Sequence, residues 1–578
     1  MFWRVLLVLV VSFSLAAQAP APAAKEKEKS EKEKEEIEQG IPITSQTVKD
    51  ACGACHKSDE KGRMTRISYR RTTPEGWQET IKRMVLLNNV PVQPEKAREI
   101  VRYLADNLGL APEEAQPAAF EVERRMIDYK YAADKDTEGV CTKCHSMGRV
   151  IAQRRTKGEW DLLLAMHRGY YPLSDFQAFR RGGPPRTEPG PDGRPPDNRH
   201  PMDKALAHLS GAFPLKTPEW SAWSANFRPP HLEGRWAVSG YELGKGPIYG
   251  EMRILPSPSS ADNEYITETR YTYARNGSAV KRQGKVIIYT GFQWRGRSNP
   301  GAQDELREVM FVDRARRSIS GRWFSGAYDE LGMDVKLQRV GGDPIVLGLD
   351  RPALKTGASG VELQVFGTNF PAGLGPSSVD LGPGVKVTEV VSAGPDVVKV
   401  RVDVSADAPM GARDLFVAGA SRENAAVVYN KVDYLKVRPQ AGMARVGGVV
   451  FPKQFQQFEA AAYSNGHDGK PDTKDDLDLG AVNVTWSVEE FTAVFGDDDL
   501  QFVGTLDANG FFTPNVDGPN PKRKNNTNNY GDVWVVATYT PPAGSSKDEK
   551  DLRPLRARAH LLVTVPLYMR FEQREVAP

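Results

Sequence analysis

All four cysteines of the chain fall into two copies of one five-residue motif, Cys52-Gly53-Ala54-Cys55-His56 and Cys141-Thr142-Lys143-Cys144-His145. In Cys-x-x-Cys-His, two thiols about one helical turn apart can each add to a vinyl group of one porphyrin, and the next residue can ligate its iron. The motif therefore predicts two covalently bound haems c, with Cys52, Cys55, Cys141 and Cys144 as thioethers and His56 and His145 as proximal ligands. Three other chemistries use paired cysteines. Disulfides suit an exported protein, but a bridge closed within Cys-x-x-Cys is strained. A thioredoxin-like centre needs a surrounding βαβ pattern, which the flanks lack. A four-cysteine zinc site would have to join motifs separated by residues 56–140, far beyond zinc-ribbon spacing. None of the three accounts for a His in the same place twice.

An internal repeat suggests the second iron ligands. Arg70-Arg71-Thr72-Thr73-Pro74-Glu75-Gly76-Trp77 runs on to Met84, and Arg154-Arg155-Thr156-Lys157-Gly158-Glu159-Trp160 runs on to His167. Aligned on Trp77 and Trp160, the seventh following residue is Met84 in one copy and His167 in the other. Seven residues are nearly two helical turns, so Trp and ligand share a face. Thioether and imidazole both serve as sixth ligands. Competing donors are Met64, Met147, Met166, His200 and His208, and a lone Met on such a face is ordinarily core filling. Each repeat then closes with a helical pattern, Pro94–Leu108 and Met202–Phe213, and leaves through Pro112-Glu113 or Pro218-Glu219. The Pro/Gly/Arg-rich stretch 180–199 reads as a surface loop.

The N-terminus reads as an address. Residues 1–19 carry one Arg, a short apolar core and Ala17-Gln18-Ala19, the pattern of a secretory signal peptide. A charged linker over 20–40, with its Lys/Glu alternation, cannot form a core. The expected location is the periplasm. No apolar run of about 20 residues is present for a membrane span, and a net charge of +3 is too mild to announce nucleic acid.

Beyond about residue 229 the pattern turns to strands. With 52 Gly and 42 Pro, turns are frequent and strands short. Tyr265–Tyr273 alternates strictly, Asn276-Gly277 marks a tight hairpin, and Lys285–Gln293, Glu308–Asp313 and Asp334–Arg339 continue the series. An antiparallel barrel is predicted over 229–342. Val361–Phe366, Val385–Val391 and Val397–Val404 predict an immunoglobulin-like sandwich over 343–439. Strands near Val482–Val488, Asp532–Tyr539 and Arg556–Val565 predict a second sandwich over 440–578. The fold class is thus an α-helical di-haem cytochrome c domain over 41–228, followed by a barrel and two sandwiches. One acidic loop, with Asp468, Asp472, Asp475 and Asp476, reads either as a Ca²⁺ site or as a solvated turn; its spacing is not that of an EF-hand.

The two Cys-x-x-Cys-His motifs, the segment Thr73–Met84 and the segment Gln153–His167 resemble the α subunit of quinohaemoprotein amine dehydrogenase, and the order of the β units is similar to that family's. The resemblance implies a di-haem domain with axial pairs His56/Met84 and His145/His167, followed by three β domains. It implies a heterotrimer with a β-propeller subunit and a small subunit carrying cysteine tryptophylquinone, which oxidises primary amines. Electrons would pass through the haems to a periplasmic blue-copper protein or cytochrome c. No nucleophile–base constellation appears on this chain, so no catalytic residue is expected. Two rivals remain: a stand-alone di-haem carrier whose β modules bind a partner, and a peroxidase-like haem enzyme. The second needs an open iron position, against which two full ligand sets argue.

Overall fold

The computed structural model describes residues 39–125, 131–180, 183–191, 193, 195–259, 261, 263–491, 498–542 and 552–566. The expected signal peptide and nearly all of the charged linker lie outside the described residues. The described chain divides into two compact units, one taking residues 39–71, 133–143 and 153–221, the other 72–125, 131–132, 144–152 and the rest of the chain from 222 onward. Each unit takes parts of both repeats.

The first unit is helical. Gln46–Cys52 starts at Ser45, whose Oγ accepts the Val48 N–H at 3.3 Å. Lys135–Cys141 starts at Asp134, which accepts from Asp136 and Thr137. Thr156 caps Lys157–Tyr170 by accepting from Glu159 at 3.3 Å. Such side chains satisfy amide groups that a helix start leaves without carbonyl partners. Pro201–Ala212 has Pro at its first position, where the missing N–H costs nothing.

The second unit opens with two more helices. Thr73 caps Pro74–Asn88, which ends at Asn89 in a left-handed conformation (φ 52°), and Pro94–Asn107 buries Ile100, Val101, Leu104 and Ala105 on one face. That face meets the barrel: Thr290 donates its N–H to Asp106 at 2.6 Å and its hydroxyl to the Ala105 carbonyl at 2.9 Å. Arg295 and Glu75, both buried, form an ion pair between a barrel strand and the first turn of the Met84 helix. Burial alone would push Glu75 up; the guanidinium and its hydrogen bonds hold the carboxyl below its ordinary value.

Eight strands, from Gly234–Glu242 to Leu331–Arg339, pair antiparallel in chain order, and the last closes on the first with Leu337 opposite Val238. Along Glu264–Tyr273 the residues Tyr265, Thr267, Thr269, Tyr271 and Tyr273 are buried and alternate with more accessible ones. Trp236, Trp294, Met310 and Trp323 fill the interior. Gly250 permits the tight curl, since a Cβ there would lie 2.0 Å from the Arg270 carbonyl oxygen. One expected strand is corrected. Lys285–Gln293 is not continuous: Ala279–Tyr289 ends at Thr290 (φ 54°) and Gly291 (φ 74°), and Gln293–Ser298 returns as the next strand. Two successive left-handed residues reverse the chain, and the β-propensity of the segment does not reveal them.

After the barrel, two four-stranded sheets enclose one core of Leu363, Val365, Val398, Val400, Leu415 and Val428. Among the described residues the last region forms three sheets, because Gln456–Gln457, Phe511–Pro514 and Gly504–Leu506 form a small sheet of their own. Phe458, Phe512, Val533, Val535 and Leu561 share its core.

Candidate haem sites

Cys52 ends the helix Gln46–Cys52, and its carbonyl accepts the N–H of Cys55 at 3.2 Å and of His56 at 2.9 Å. The motif is therefore one tight turn. Cys141 likewise ends Lys135–Cys141. No disulfide joins any of the four cysteines. Burial raises the Cys52 thiol, with Cys55 adding to the effect, and pushes Cys141 up to about 12, with Asp134 adding.

The orientation of the imidazoles is the informative geometry. His56 Nδ1 lies 2.9 Å from the Thr65 carbonyl, His145 Nδ1 lies 2.9 Å from the Ser146 carbonyl, and His167 Nδ1 lies 2.8 Å from the Leu163 carbonyl. A carbonyl can only accept, so each Nδ1 donates, and in the neutral imidazole this leaves the Nε2 lone pair for a metal. A backbone acceptor behind the ring also fixes its plane and raises ligand basicity. Ser146 is itself held by a hydroxyl bond to Glu121, to which Arg149 also pairs at 3.4 Å. Gly148 lets Glu121 approach, for a Cβ there would lie 2.5 Å from that of Glu121.

The repeat seen in sequence is also a repeat of hydrogen bonds. In the second unit the Thr72 N–H (3.1 Å) and Trp77 Nε1–H (3.0 Å) both donate to the Leu108 carbonyl, at the end of Pro94–Asn107. In the first, the Arg155 N–H (3.2 Å) and Trp160 Nε1–H (3.0 Å) both donate to the Phe213 carbonyl, at the end of Pro201–Ala212. Met84 and His167 thus occupy equivalent helix positions with equivalent anchoring behind them. Both are half-buried. Asn88 Nδ2, one turn on, lies 3.8 Å from Met84 Sδ.

The competing donors have other employment. Met64 (0% exposed) and Met147 (2%) are core residues. Met166 Sδ accepts from Arg66 Nη2 at 3.2 Å. His200 caps a helix, its Nδ1 accepting the Met202 N–H, which makes it the opposite tautomer. His208 Nδ1 pairs with Asp134 at 3.3 Å. The chemistry of the donor set therefore fits haem c: four thiols, three imidazoles presenting Nε2 and one accessible thioether.

The acidic loop is organised by protein groups. Asp472 pairs with Lys436 at 2.7 Å, Asp476 accepts from the Tyr434 hydroxyl at 2.6 Å and the Thr473 N–H at 2.9 Å, Asp475 accepts from Thr473 at 2.8 Å, and Asp468 accepts from the Lys470 N–H at 2.8 Å. Among the described residues no group of three or more His, Cys, Asp or Glu side chains gathers to hold a metal ion.

Sequence reasoning missed Thr65, Ser146 and Leu163, which act through backbone carbonyls and carry no residue-type signal. It also missed Asn88, which i, i+4 spacing from Met84 could have revealed. Among the described residues no helix is long and apolar enough to cross a membrane.

Four sequence models match the chain: quinohemoprotein amine dehydrogenase A, alpha subunit, haem binding, over residues 43–183; and domains II, III and IV of the quinohemoprotein amine dehydrogenase alpha subunit over 229–340, 344–430 and 435–576. Solved structures with local similarity include a redesigned β-barrel, 17% identical, covering 20% of this chain and 98% of that one at a TM-score of 0.17. A de novo designed fluorescence-activating β-barrel is 17% identical over 19% of this chain and 93% of its own, with a TM-score of 0.15. Human protocadherin-24 EC1-2 is 12% identical over 39% and 98%, with a TM-score of 0.15. Scores this low carry no argument about fold or function. No curated protein matches the chain.

Proposed function

Because the chain belongs to the quinohemoprotein amine dehydrogenase α-subunit family, we propose that it is the electron-transfer subunit of a periplasmic amine dehydrogenase. Electrons taken from a primary amine by cysteine tryptophylquinone on a small partner subunit leave through two haems c on this chain to a soluble acceptor, a blue-copper protein or a cytochrome c. A β-propeller subunit completes the heterotrimer. The unit over 343–439 is read as immunoglobulin-like, and the three β units as the platform for the partners.

The observation that carries this reading is the common tautomer of the three histidines. His56, His145 and His167 each commit Nδ1–H to a backbone carbonyl within 2.9 Å, which is how a protein prepares Nε2 for iron. Bound haem supplies reversible one-electron Fe(III)/Fe(II) chemistry. The chain's own residues would do the rest: Cys52, Cys55, Cys141 and Cys144 would fix the porphyrins as thioethers, and His56 with Met84 and His145 with His167 would hold the two irons. Two one-electron sites suit the two-electron oxidation of an amine.

The test is expression with cytochrome c maturation machinery, alone and with the quinone-bearing subunits. The reading expects two haems per chain by pyridine haemochrome, retained on denaturing gels. It expects reduction by a primary amine only when the partners are present. A colourless zinc-loaded product, or amine-driven reduction of the isolated chain, overturns it. Failure to copurify with any partner from the native host would point instead to a stand-alone carrier.

A further inference from the structure

We propose that Arg66 is a positioning residue shared by both haem sites: its backbone presents the Thr65 carbonyl to His56, and its side chain holds the helix that carries His167. The proposal rests on the reading of His56 and His167 as iron ligands, and it concerns residues of the first unit only. Arg66 takes a left-handed conformation, φ 68°, unusual for a residue with a long side chain. That turn bends the chain so that the Thr65 carbonyl accepts both the Ile67 N–H at 2.8 Å and the His56 Nδ1–H at 2.9 Å. The Thr65 N–H is tied in turn to the Lys57 carbonyl at 3.0 Å, next in the chain to His56. The strain is local and lies directly behind a ligand, where such outliers tend to gather.

The side chain reaches the other site. Arg66 Nε pairs with Glu159 Oε2 at 3.1 Å, and Nη2 donates to Met166 Sδ at 3.2 Å. Glu159 and Met166 are seven residues apart on the helix Lys157–Tyr170, hence on one face. Glu159 is nearly inaccessible, with a side chain 7% exposed. One guanidinium therefore grips two points of the helix, the second adjoining His167, and resists its rotation. Rotation would turn the imidazole plane of His167.

The test uses the full chain with haems in place, read by electron paramagnetic resonance of the ferric form and by potentiometric titration. Arg66→Gly keeps the left-handed turn and removes the grip. Its g-values should shift for the His145/His167 haem and stay for the His56/Met84 haem. Arg66→Ala, which keeps a Cβ in the same left-handed turn and also removes the grip, should reproduce the Arg66→Gly shift of the His145/His167 haem. Arg66→Lys retains the charge, so a potential change seen in Arg66→Gly and absent in Arg66→Lys reports charge alone; the g-values report geometry. Unchanged g-values of the His145/His167 haem in Arg66→Gly overturn the proposal. His167→Ala separates this from failure of the ligand assignment. If that variant gives one high-spin haem while Arg66→Gly is silent, only the role of Arg66 falls. If it leaves two low-spin haems, the assignment of His167 falls, and Arg66 with it.

Discussion

Trp160 donates its indole N–H to the carbonyl of Phe213 across 3.0 Å, and this bond joins the start of the helix that carries His167 to the end of the helix that closes the repeat. Trp77 and Leu108 repeat it at the same distance. Each carbonyl also takes a backbone N–H from the segment before the capping Thr, so one oxygen gathers three parts of the chain. Both indoles are about 1% exposed. Trp160→Phe should therefore remove a buried hydrogen bond and leave a small cavity, together costing about 1–3 kcal/mol. Chemical denaturation of the haem-loaded chain checks this. Trp77→Phe should cost a similar amount, because the arrangement is equivalent. A loss below about 0.5 kcal/mol in both would show that the shared bond is not what anchors the repeat.

The Glu75–Arg295 pair makes a different prediction. Arg295 is wholly buried (0% exposed), and Glu75 is nearly so. Glu75→Leu leaves an uncompensated cation in the interior, a change that typically costs about 3–5 kcal/mol. The double variant Glu75→Leu/Arg295→Met should recover most of that loss, since it removes both desolvated charges. Urea denaturation of the single and double variants measures the difference; equal stabilities would mean that the charge left behind is not the cause.

How much of this was legible depends on how local the determining interaction is. Cys52 to His56 lie within one turn, so the motif reads directly as chemistry. The seven-residue step from Trp160 to His167 reads as a helix face because period alone determines it, and its second copy at Trp77 and Met84 made it stand out. The barrel was legible in Tyr265–Tyr273 for the same reason. Thr290 was not, because its left-handed φ is imposed by the Ala105 and Asp106 contacts and not by its residue type. Glu308 was not legible either. Nothing in the expected strand Glu308–Asp313 marks this carboxylate as buried, yet its side chain is 2% exposed inside the barrel. Arg66 and Thr65 were invisible in sequence because one acts through a fold-dependent turn and the other through a backbone oxygen.

Glu308 gives the pH prediction. Burial pushes its carboxyl up to about 7, against the opposing pull of the Trp294 N–H at 3.0 Å, Ser298 and Arg282. The folded state therefore holds this proton through a range where the unfolded chain has released it. Below the ordinary carboxylate pKa both states are protonated and the contribution is constant. As pH rises from there to about 7, folding loses stability, of the order of 3 kcal/mol from this group. Glu308→Gln, which stays neutral, should lack that decline. The difference between wild-type and variant stability, followed from pH 4 to 8, should slope accordingly. A flat difference would mean that Glu308 titrates normally in the fold.

The last prediction concerns the asymmetry between Met84 and His167. A thioether donates less density to Fe(III) than an imidazole, so a haem held by His56 and Met84 should have the higher potential of the two. Surrounding charge and hydrogen bonds act on the same quantity, and one such group is visible. Asn88 Nδ2 points at Met84 Sδ from 3.8 Å, drawing density from the sulfur and weakening it further as a donor to the oxidised iron. Asn88→Leu should therefore lower the higher potential and leave the lower one in place. Met84→His should lower it much more and abolish the weak near-infrared Met–Fe band. Spectropotentiometric titration resolves both changes, and the two variants answer separate questions. If Met84→His moves neither potential nor band, another residue ligates that iron. If Met84→His behaves as expected and Asn88→Leu leaves the higher potential where it was, the contact at 3.8 Å is too long to polarise the sulfur, and the asymmetry belongs to the ligands alone.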